Sequence, residues 1–422
     1  MRLFDSLTKA FGPEPEFETL LASFATSEGL LPEAASLKSR RYLTRSIAPH
    51  VERLSQLFNR ESQSQDKSLE PYWKLGSNRE HLRLAYFLYF MPPNLFRIAS
   101  IWSELSKLGF QWKSGTLKGI EFGSGPATGA CGIAAGEHFS DGVGLPPRGS
   151  WALIEQDKPM LELGCRWAGT YFSHLGFGDW DVLKFPRKID PTKQFLPSNA
   201  PRFNLWLMSY FLNELEIPPK DLALSLIKSW DRHLEEEGVI ILSEPALKLQ
   251  SRKLLELRKE LLAQSKNLGI NWLKILLPCL GHQACGALAN PEDWCHEEVS
   301  WWRPPYYRTL DDVVGLDHKT LPFSYLVIVK TTRTLEEILP KLAANKDAAS
   351  KRYRLVSPAY KQGRDMEFFL CGQDGKKRAR ILSGMETETE SPSNLQRGDI
   401  LEGAELRGDP NLSRVDRLKK IT

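Results

Sequence analysis

The sequence predicts an α/β protein in three parts: a helical region over residues 1–112, a sheet domain over 113–335 and a basic β subdomain over 345–422. Three observations support this division. The first part carries Leu-rich stretches with helical periodicity and little strand pattern. Short apolar segments then alternate with helical ones, which is typical of a parallel sheet covered on both faces. From Tyr353 to Leu382 the residues alternate as they do in strands.

The composition is that of an ordinary globular chain. It has 422 residues, 41% hydrophobic and 26% charged, which is enough for more than one core. No stretch approaches the roughly 20 uninterrupted apolar residues of a membrane-spanning helix, so no membrane contact is expected. The first residues lack the apolar core of a signal peptide, and their early acids are unlike an organellar presequence, so a bacterial-type cytoplasmic location is expected.

Leu-rich periodic stretches over Ser36–Phe58 and Arg79–Leu108 predict the helices of the first part. Five arginines would give them a basic face: Arg40, Arg41, Arg45, Arg53 and Arg60. Such a face is either solvated or contacts nucleic acid.

Six apolar segments predict the strands of the sheet. They are Leu117–Phe122, Trp151–Glu155, a weaker one near Trp180–Leu183, Phe203–Ser209, Val239–Ser243 and Phe323–Lys330. A charged helix, Ala246–Lys266, and a cysteine-bearing loop over residues 278–297 separate the last two segments. The loop is therefore an insertion before the final strand of the sheet.

A Gly-x-Gly turn stands between the first strand and a predicted helix. Its glycines, Gly123 and Gly125, flank Ser124 and follow the acidic residue Glu121. Glycines at this point let the backbone approach a ligand closely. Glu155 ends the next strand, where a carboxylate can accept hydrogen bonds from both hydroxyls of a ribose. The combination predicts a nucleoside pocket.

This arrangement resembles the class I S-adenosylmethionine-dependent methyltransferases, with a Rossmann-like core. The resemblance implies that Glu121 and the Gly123–Gly125 loop face the methionine part of the cofactor and that Glu155 faces the ribose. Asp181, at the weak third strand, is similar to the acid that meets the adenine, and Asp179 is equally placed. A third glycine is frequent where this chain has Ala127.

No catalytic residue is predicted. The fourth strand leads into Ser209–Leu215, which contains neither the Asn-Pro-Pro-Tyr type of segment that many amino-group methyltransferases use nor a Pro-Cys nucleophile. Methyl transfer from a sulfonium can proceed mainly by positioning, so the sequence leaves catalysis open.

Four of the six cysteines lie in polar, turn-rich surroundings. They are Cys279, Cys285, Cys295 and Cys371, whereas Cys131 and Cys165 fall in apolar stretches. Without paired spacing or an export signal they predict no disulfide framework, and thiolates suit either zinc or an iron–sulfur cluster. The wide spacing lacks the Cys-x2-Cys knuckle of zinc ribbons, but His282 and His296 keep zinc possible.

Several ordered segments resemble the methyltransferase-like small-ribosomal-subunit assembly proteins, a family with mitochondrial members and bacterial relatives. They are Glu121–Pro126, Leu242–Pro245, Pro278–Cys285, Asp293–His296 and Phe323–Val327, with Arg83–Tyr86 and Met91-Pro92 upstream and Phe369–Gly375 around Cys371. The resemblance implies a 4Fe-4S cluster on the four cysteines. Gly286 and Glu297 depart from it, since proline and an aromatic residue are usual there.

The resemblance also implies a role in assembly of the small ribosomal subunit or in translation, with binding to ribosomal RNA. The segment between Lys351 and Arg380 has nine basic residues against three acidic ones, and this excess of positive charge would meet phosphate. Trp301, Trp302, Tyr306 and Tyr307 would stack on bases, although core packing would explain at least half of them. The alternatives are an active rRNA methyltransferase and a zinc-stabilised RNA-binding module. A monomer is expected, and no contact with DNA.

Overall fold

The computed structural model describes residues 15–32, 37–58, 79–192, 194–281, 284–344, 352–382, 395–402, 406–409, 412–415 and 419–420. Arg60, His282 and Lys351, which the sequence marks as candidates, lie outside these residues. The chain divides into two compact units. The first contains Met1–Ser103, Gly119–Lys188 and Val299–Leu321, and the second contains Glu104–Lys118, Ile189–Glu298 and Pro322–Thr422.

Ten α-helices are used in the description below. They are α1 (Pro15–Ser27), α2 (Ala48–Phe58), α3 (Arg79–Ala85), α4 (Met91–Lys107), α5 (Thr128–Phe139), α6 (Lys158–His174), α7 (Pro219–His233), α8 (Lys248–Asn267), α9 (Pro305–Val314) and α10 (Leu335–Ile338). Short π-helical segments, Leu43–Ile47 and Tyr86–Phe90, precede α2 and α4. The predicted helical region is therefore present. Within the described ranges no helix is long and apolar enough to cross a membrane.

The strands of the main sheet are β1 (Leu117–Phe122), β2 (Gly149–Glu155), β3 (Trp180–Pro186), β4 (Phe203–Ser209), β5 (Leu234–Pro245), β6 (Leu273–Leu277), β7 (Glu297–Ser300) and β8 (Thr320–Lys330). All six predicted segments are strands. The sequence pattern missed β6 and β7, which flank the cysteine-bearing loop, because Lys274 and Pro278 interrupt the apolar run around β6.

The strand order identifies the fold class. The order is β3-β2-β1 for the first three strands and β4-β5-β8-β6 for the later ones. Strands β2 and β3 are parallel, as are β4 and β5, whereas β8 runs antiparallel between β5 and β6. This is a Rossmann-like order with one inserted antiparallel strand. The predicted α/β class is confirmed.

A second sheet forms the C-terminal β subdomain within the second unit. Its strands are β9 (Arg352–Leu355), β10 (Tyr360–Gln362), β11 (Asp365–Gly372), β12 (Gly375–Ile381), β13 (Ile400–Glu402), β14 (Leu406–Asp409), β15 (Leu412–Val415) and β16 (Lys419–Lys420). Strands β11 and β12 form an antiparallel hairpin that packs around Leu355, Phe368 and Leu370. Alternate residues of β11 and β12 point into this core, as the sequence alternation predicts.

Candidate functional sites

The Gly-x-Gly turn has the backbone that its glycines permit. Gly123 and Gly125 have φ angles of 63° and 50°, in the left-handed region. Ala127 also adopts this region, with φ 61°, directly before α5 begins at Thr128. The turn therefore has this backbone conformation without a third glycine. Alanine can adopt the left-handed conformation, although at a higher energy than glycine.

Glu121 holds the first residues of α5, directly after this turn. Its side chain is buried, and its two carboxylate oxygens accept hydrogen bonds from the backbone N–H groups of Gly129 (2.7 Å) and Ala130 (2.9 Å). Burial raises the pKa of Glu121 to about 7. These amides open α5 and have no partner inside the helix, so the carboxylate satisfies them. A role of Glu121 toward the methionine part of a cofactor stays a prediction.

Glu155 lies against the glycine turn, as the motif predicts. Its Oε2 accepts from the backbone N–H of Gly125 (3.1 Å) and its Oε1 accepts from Asp157 N–H (2.9 Å). Burial raises the pKa of Glu155. Each carboxylate oxygen has a second lone pair, so the same group can still accept hydrogen bonds from ribose hydroxyls.

Two residues of the helical lead-in complete this site, although the sequence singled them out only as part of a family pattern. Arg83 donates to both oxygens of Asp157, at 2.8 and 2.9 Å. Asp157 also accepts from Met160 N–H and so caps α6. The Tyr86 ring lies so close to Gly125 that a Cβ built there would be 3.7 Å from it. Arg83 and Tyr86 therefore border the turn.

The structure places Asp181 away from Glu155. Asp181 pairs in register with Ser150, whereas Glu155 pairs with Pro186 at the carboxyl ends of the parallel strands β2 and β3. Five residues of strand, about 17 Å, separate the two levels. The strand continues to Pro186, beyond the predicted end at Leu183, so Asp181 lies near the amino end of β3 and Asp179 precedes the strand.

Glu244, at the end of β5, holds the loop that follows β4. It is buried, and its carboxylate accepts from the backbone N–H groups of Leu212 (2.8 Å) and Asn213 (3.2 Å). In the same loop Tyr210 takes a left-handed conformation, φ 57°, and donates its N–H to Ser243 O. Burial raises the pKa of Glu244 to about 8.

The titration of Glu244 predicts a pH dependence of stability. The folded pKa of Glu244 lies above its ordinary value of 4.5. The contribution of the protonated carboxyl to the free energy of unfolding is therefore complete below about pH 4.5 and is lost as pH rises through about 8. The stability of Glu244→Gln, measured relative to wild type at the same pH, should therefore be about 1–3 kcal/mol higher at pH 8 than at pH 5. Urea unfolding at both pH values measures this change. Glu256→Gln on the surface of α8 is the control, and an equal response in both variants would contradict the prediction.

The four candidate cysteines all belong to the second unit. Cys279 follows β6, Cys295 precedes β7, Cys285 lies in the loop between them, and Cys371 is on β11. None forms a disulfide. Cys279 and Cys295 line a cavity of about 20 Å³ together with His296. That volume holds one water molecule.

The four thiols lie within electrostatic reach of one another. Burial raises the pKa of Cys295, and the thiols of Cys279, Cys371 and Cys285 raise it further. Burial also raises the pKa of Cys371 to about 12, with further contributions from Cys279 and Cys285. The close approach of Gly286 to Gly375 and Lys376 agrees with this, because it brings the loop to the hairpin that carries Cys371. No group of three or more Cys, His, Asp or Glu in the described part of the chain has the arrangement of a metal site.

Gly286 explains how the loop reaches β11 and β12. A Cβ at this position would lie 2.3 Å from the backbone nitrogen of Lys376, so only glycine fits. The backbone N–H of Gly286 opposes the rise in the pKa of the Cys371 thiol. Lys376 in turn donates to both carboxylate oxygens of Asp293, at 2.8 and 2.7 Å. The departure from proline at Gly286 is therefore a packing requirement in this chain.

Gly286→Ala should destabilise the protein by about 1–3 kcal/mol, because the added methyl group overlaps a backbone atom that cannot rotate away. Urea unfolding measures the loss. Gly115→Ala, where a Cβ would meet nothing within 4 Å, is the matched control. Equal stabilities of the two variants would show that the approach of loop and strand is looser than described.

A buried ion network lies beside the cysteines. Arg354 donates to Glu297 at 2.7 Å, to both oxygens of Glu104 and to Tyr325 Oη at 3.1 Å. Tyr325 donates to Glu104 at 2.6 Å. Burial disfavours the charge of Arg354, but Glu104, Tyr325 and Glu297 outweigh it and raise the pKa of Arg354. The guanidinium is thus fully paired where it borders the cavity.

Comparison with known proteins decides the family. Residues 83–392 match the family described as mitochondrial small ribosomal subunit Rsm22. This chain belongs to the Rsm22 family. The match spans the glycine turn and all four candidate cysteines, and no curated protein sequence matches the chain.

Two solved structures similar to this Rsm22-family chain are named as methyltransferases. A putative class I S-adenosylmethionine-dependent methyltransferase from Listeria monocytogenes has 13% identity and a TM-score of 0.35, covering 75% of this chain and 89% of that one. A precorrin-6y C5,15-methyltransferase from Geobacter metallireducens has 14% identity and a TM-score of 0.29, covering 55% and 86%. Because both TM-scores are below 0.5, the assignment of the fold class rests on the strand order described above.

Six of the nine basic residues between Lys351 and Arg380 in this Rsm22-family chain are paired internally. The pairs are Arg352 with Glu336 and Glu402, Arg354 with Glu104 and Glu297, Lys376 with Asp293, Lys377 with Asp374, and Arg378 and Arg380 with Glu367. Lys361 and Arg364 are exposed in the β10–β11 hairpin and have no ion pair among the described residues. Counting basic residues in the sequence therefore overestimates the number of basic side chains that are available to contact phosphate.

The aromatic residues expected to stack on bases are mostly internal. Trp301, Tyr306 and Tyr307 are buried, and the Tyr307 ring stacks on Tyr89 with 4.5 Å between centroids. The alternative expectation, core packing, thus holds for at least three of the four. Tyr89 also donates to the buried Asp311, so this cluster fixes α9 within the first unit.

Proposed function

We propose that this chain is a small-ribosomal-subunit assembly or translation factor that binds ribosomal RNA and carries a metal cluster on a methyltransferase-like core. Membership of the Rsm22 family, whose name refers to the mitochondrial small ribosomal subunit, carries the proposal. Co-sedimentation with small subunits and sequencing of the bound RNA test it. Recovery of free protein only, in cells that are assembling ribosomes, would contradict it.

The metal is proposed as a 4Fe-4S cluster held by Cys279, Cys285, Cys295 and Cys371. The proximity of four disulfide-free thiols, drawn from a loop and from a distant strand, supports it. Ligation would couple the folding of these two segments. Zinc is the alternative, since thiolates suit both metals. Anaerobic purification with iron, sulfide and zinc analysis distinguishes them.

The core is proposed to bind S-adenosylmethionine at the glycine turn. Support comes from the contact between Gly125 and Glu155 and from the positions of Arg83 and Tyr86 around them. Calorimetric titration with S-adenosylmethionine tests binding. Methyl transfer is the second candidate function, and transfer of labelled methyl groups to small-subunit RNA would establish it.

RNA contact is proposed at the β10–β11 hairpin. Lys361 and Arg364 are exposed there beside Tyr360, which is 37% exposed, so phosphate and a base face can both be met. Lys361→Ala/Arg364→Ala should weaken binding to small-subunit RNA about tenfold and lower the slope of log affinity against log salt by about 1.5. Filter binding over a salt series measures both.

The matched control is Lys377→Ala/Arg378→Ala, which removes the same charge from residues that pair with Asp374 and Glu367. We expect a smaller effect from it. Equal losses from both double variants would show that the RNA contact is not confined to the hairpin.

The compartment stays a prediction. The sequence favours a bacterial-type cytoplasm, whereas the matched family is named for the mitochondrial ribosome. Cell fractionation with antibody detection tests the proposed cytoplasmic location.

A further inference from the structure

The helical segment over residues 40–58, in the first unit, has one apolar and one basic side. Its buried apolar residues are Leu43, Ile47, Ala48, Val51 and Leu54. Its arginines are all exposed, and they are Arg40, Arg41, Arg45 and Arg53. The segment packs against α3 and α9, so its apolar side is covered and its basic side faces solvent.

A π-helical turn aligns the arginines. The chain runs from a short α-helical turn through the π segment into α2 without a break, and Ala48 N–H donates to the carbonyl oxygen of Leu43. In an uninterrupted α-helix Arg53 would lie about 120° around the axis from Arg41, and the extra residue of a π turn reduces this angle to about 20°. Arg41, Arg45 and Arg53, which we call the arginine row, therefore extend about 17 Å along one side of the helix.

The charge of the arginine row is not neutralised by the described residues, among which these three side chains have no ion pair and no hydrogen-bond acceptor. Glu52, the only acid of the segment, accepts from Gln56 at 3.4 Å. Exposed acids on the neighbouring helices, Glu80 and Asp312, form no ion pair with the row either. By contrast, three other exposed cations of the first unit are paired: Lys158 with Glu162, Arg166 with Glu28 and Lys319 with Asp317.

The chemistry of the row fits the backbone of a nucleic acid. A guanidinium presents a planar fork of donors that binds phosphate through two hydrogen bonds. A duplex carries one phosphate per about 3.4 Å of each strand, so a row of about 17 Å spans several of them. A helix that binds an anionic membrane instead places large apolar residues in the lipid, and here the apolar side is buried in the protein.

We propose that the arginine row binds the phosphate backbone of ribosomal RNA, as a contact separate from the β10–β11 hairpin. The inference rests on the proposed RNA binding and adds a surface in the first unit to the one in the second. Because phosphate contacts position a protein on RNA without reading its sequence, the row strengthens binding without selecting the RNA site.

The test uses the full chain and small-subunit RNA in filter binding over a salt series. Arg41→Gln/Arg45→Gln/Arg53→Gln should weaken binding about 30-fold and lower the slope of log affinity against log salt by about 2, because each contact with single-stranded RNA contributes about 0.7. Glutamine is a good helix former and the replaced side chains are exposed, so the unfolding temperature should stay that of wild type.

The matched control is Lys158→Gln/Arg166→Gln/Lys319→Gln, which removes the same charge from paired residues of the same unit. Its slope should stay within about 0.5 of wild type. Arg41→Lys/Arg45→Lys/Arg53→Lys keeps the charge, so it should keep the slope and lose only about threefold in affinity. Equal losses from the two glutamine variants would overturn the inference, because net charge alone would then explain them.

An absence of binding between wild type and small-subunit RNA would contradict the proposed function itself. Binding by wild type, with the same affinity and slope in the glutamine variant of the row, would overturn only this inference. Loss of binding to phosphatidylserine vesicles, with RNA affinity unchanged, would identify a membrane surface and overturn it as well. Should the triple variant fail to fold, the three single glutamine variants decide: a slope reduction of about 0.7 in each supports the inference, and none in any overturns it.

Discussion

Cys279→Ser should abolish iron binding and destabilise the second unit by more than about 4 kcal/mol, the largest effect expected from any single substitution here. Serine cannot supply a thiolate, so on the proposed ligand set the cluster is lost, and with it the metal link between the loop and β11. The affinity for S-adenosylmethionine should stay within about twofold of wild type, because the glycine turn and Glu155 belong to the first unit. Iron and sulfide content, thermal unfolding and calorimetric titration measure the three effects.

Cys165→Ser is the matched control for this substitution. Cys165 is on α6 in the first unit, is partly exposed and forms no disulfide. It should keep the iron content and the unfolding temperature of wild type. The cluster proposal would be wrong if Cys279→Ser behaved in the same way.

Arg354→Met should lower the free energy of unfolding by about 3–5 kcal/mol. The substitution preserves much of the side-chain volume but leaves the buried carboxylate of Glu297 and the partly buried one of Glu104 without their cation. Breaking a buried pair costs more than the pair contributes, because the remaining charges cannot regain water. Urea unfolding followed by tryptophan fluorescence measures the change.

The exposed pair Lys248–Glu292 provides the comparison. Its side chains are 37% and 83% exposed, so water screens their attraction. Lys248→Met should cost less than about 1 kcal/mol. A similarly small cost for Arg354→Met would mean that water reaches the network in solution.

The sheet could be predicted because buried strands carry their signal locally. The segment of β4 is a near-continuous apolar run, as expected for a parallel strand covered on both faces, and the predicted bounds of β1 and β4 agree with the structure. The weaker β3 was predicted too short. Leu183 and Phe185 are exposed there, so the strand has no burial pattern from which its end could be read.

The same distinction applies to the candidate sites. The glycine turn and Glu155 are neighbours because one strand–turn–helix unit and the adjacent strand place them together, and the sequence motif predicts this. Asp181 was assigned from the resemblance to class I methyltransferases, which depends on where the third strand ends, and the structure places it near the amino end of β3 instead. Gly286 looked like a departure from a family pattern, and only the backbone of Lys376 beside it gives the reason for glycine.

By itself, the sequence determined the α/β class, the local turn at Gly123–Gly125 and the identity of the thiols. The tertiary structure decided that the loop of Cys285 packs against the hairpin that carries Cys371, and that six of the nine basic residues between Lys351 and Arg380 are already paired. The physical reason is the separation along the chain of the residues that interact. Turn geometry and strand burial depend on neighbouring residues, whereas charge pairing and ligand sets depend on residues that meet only when distant segments pack.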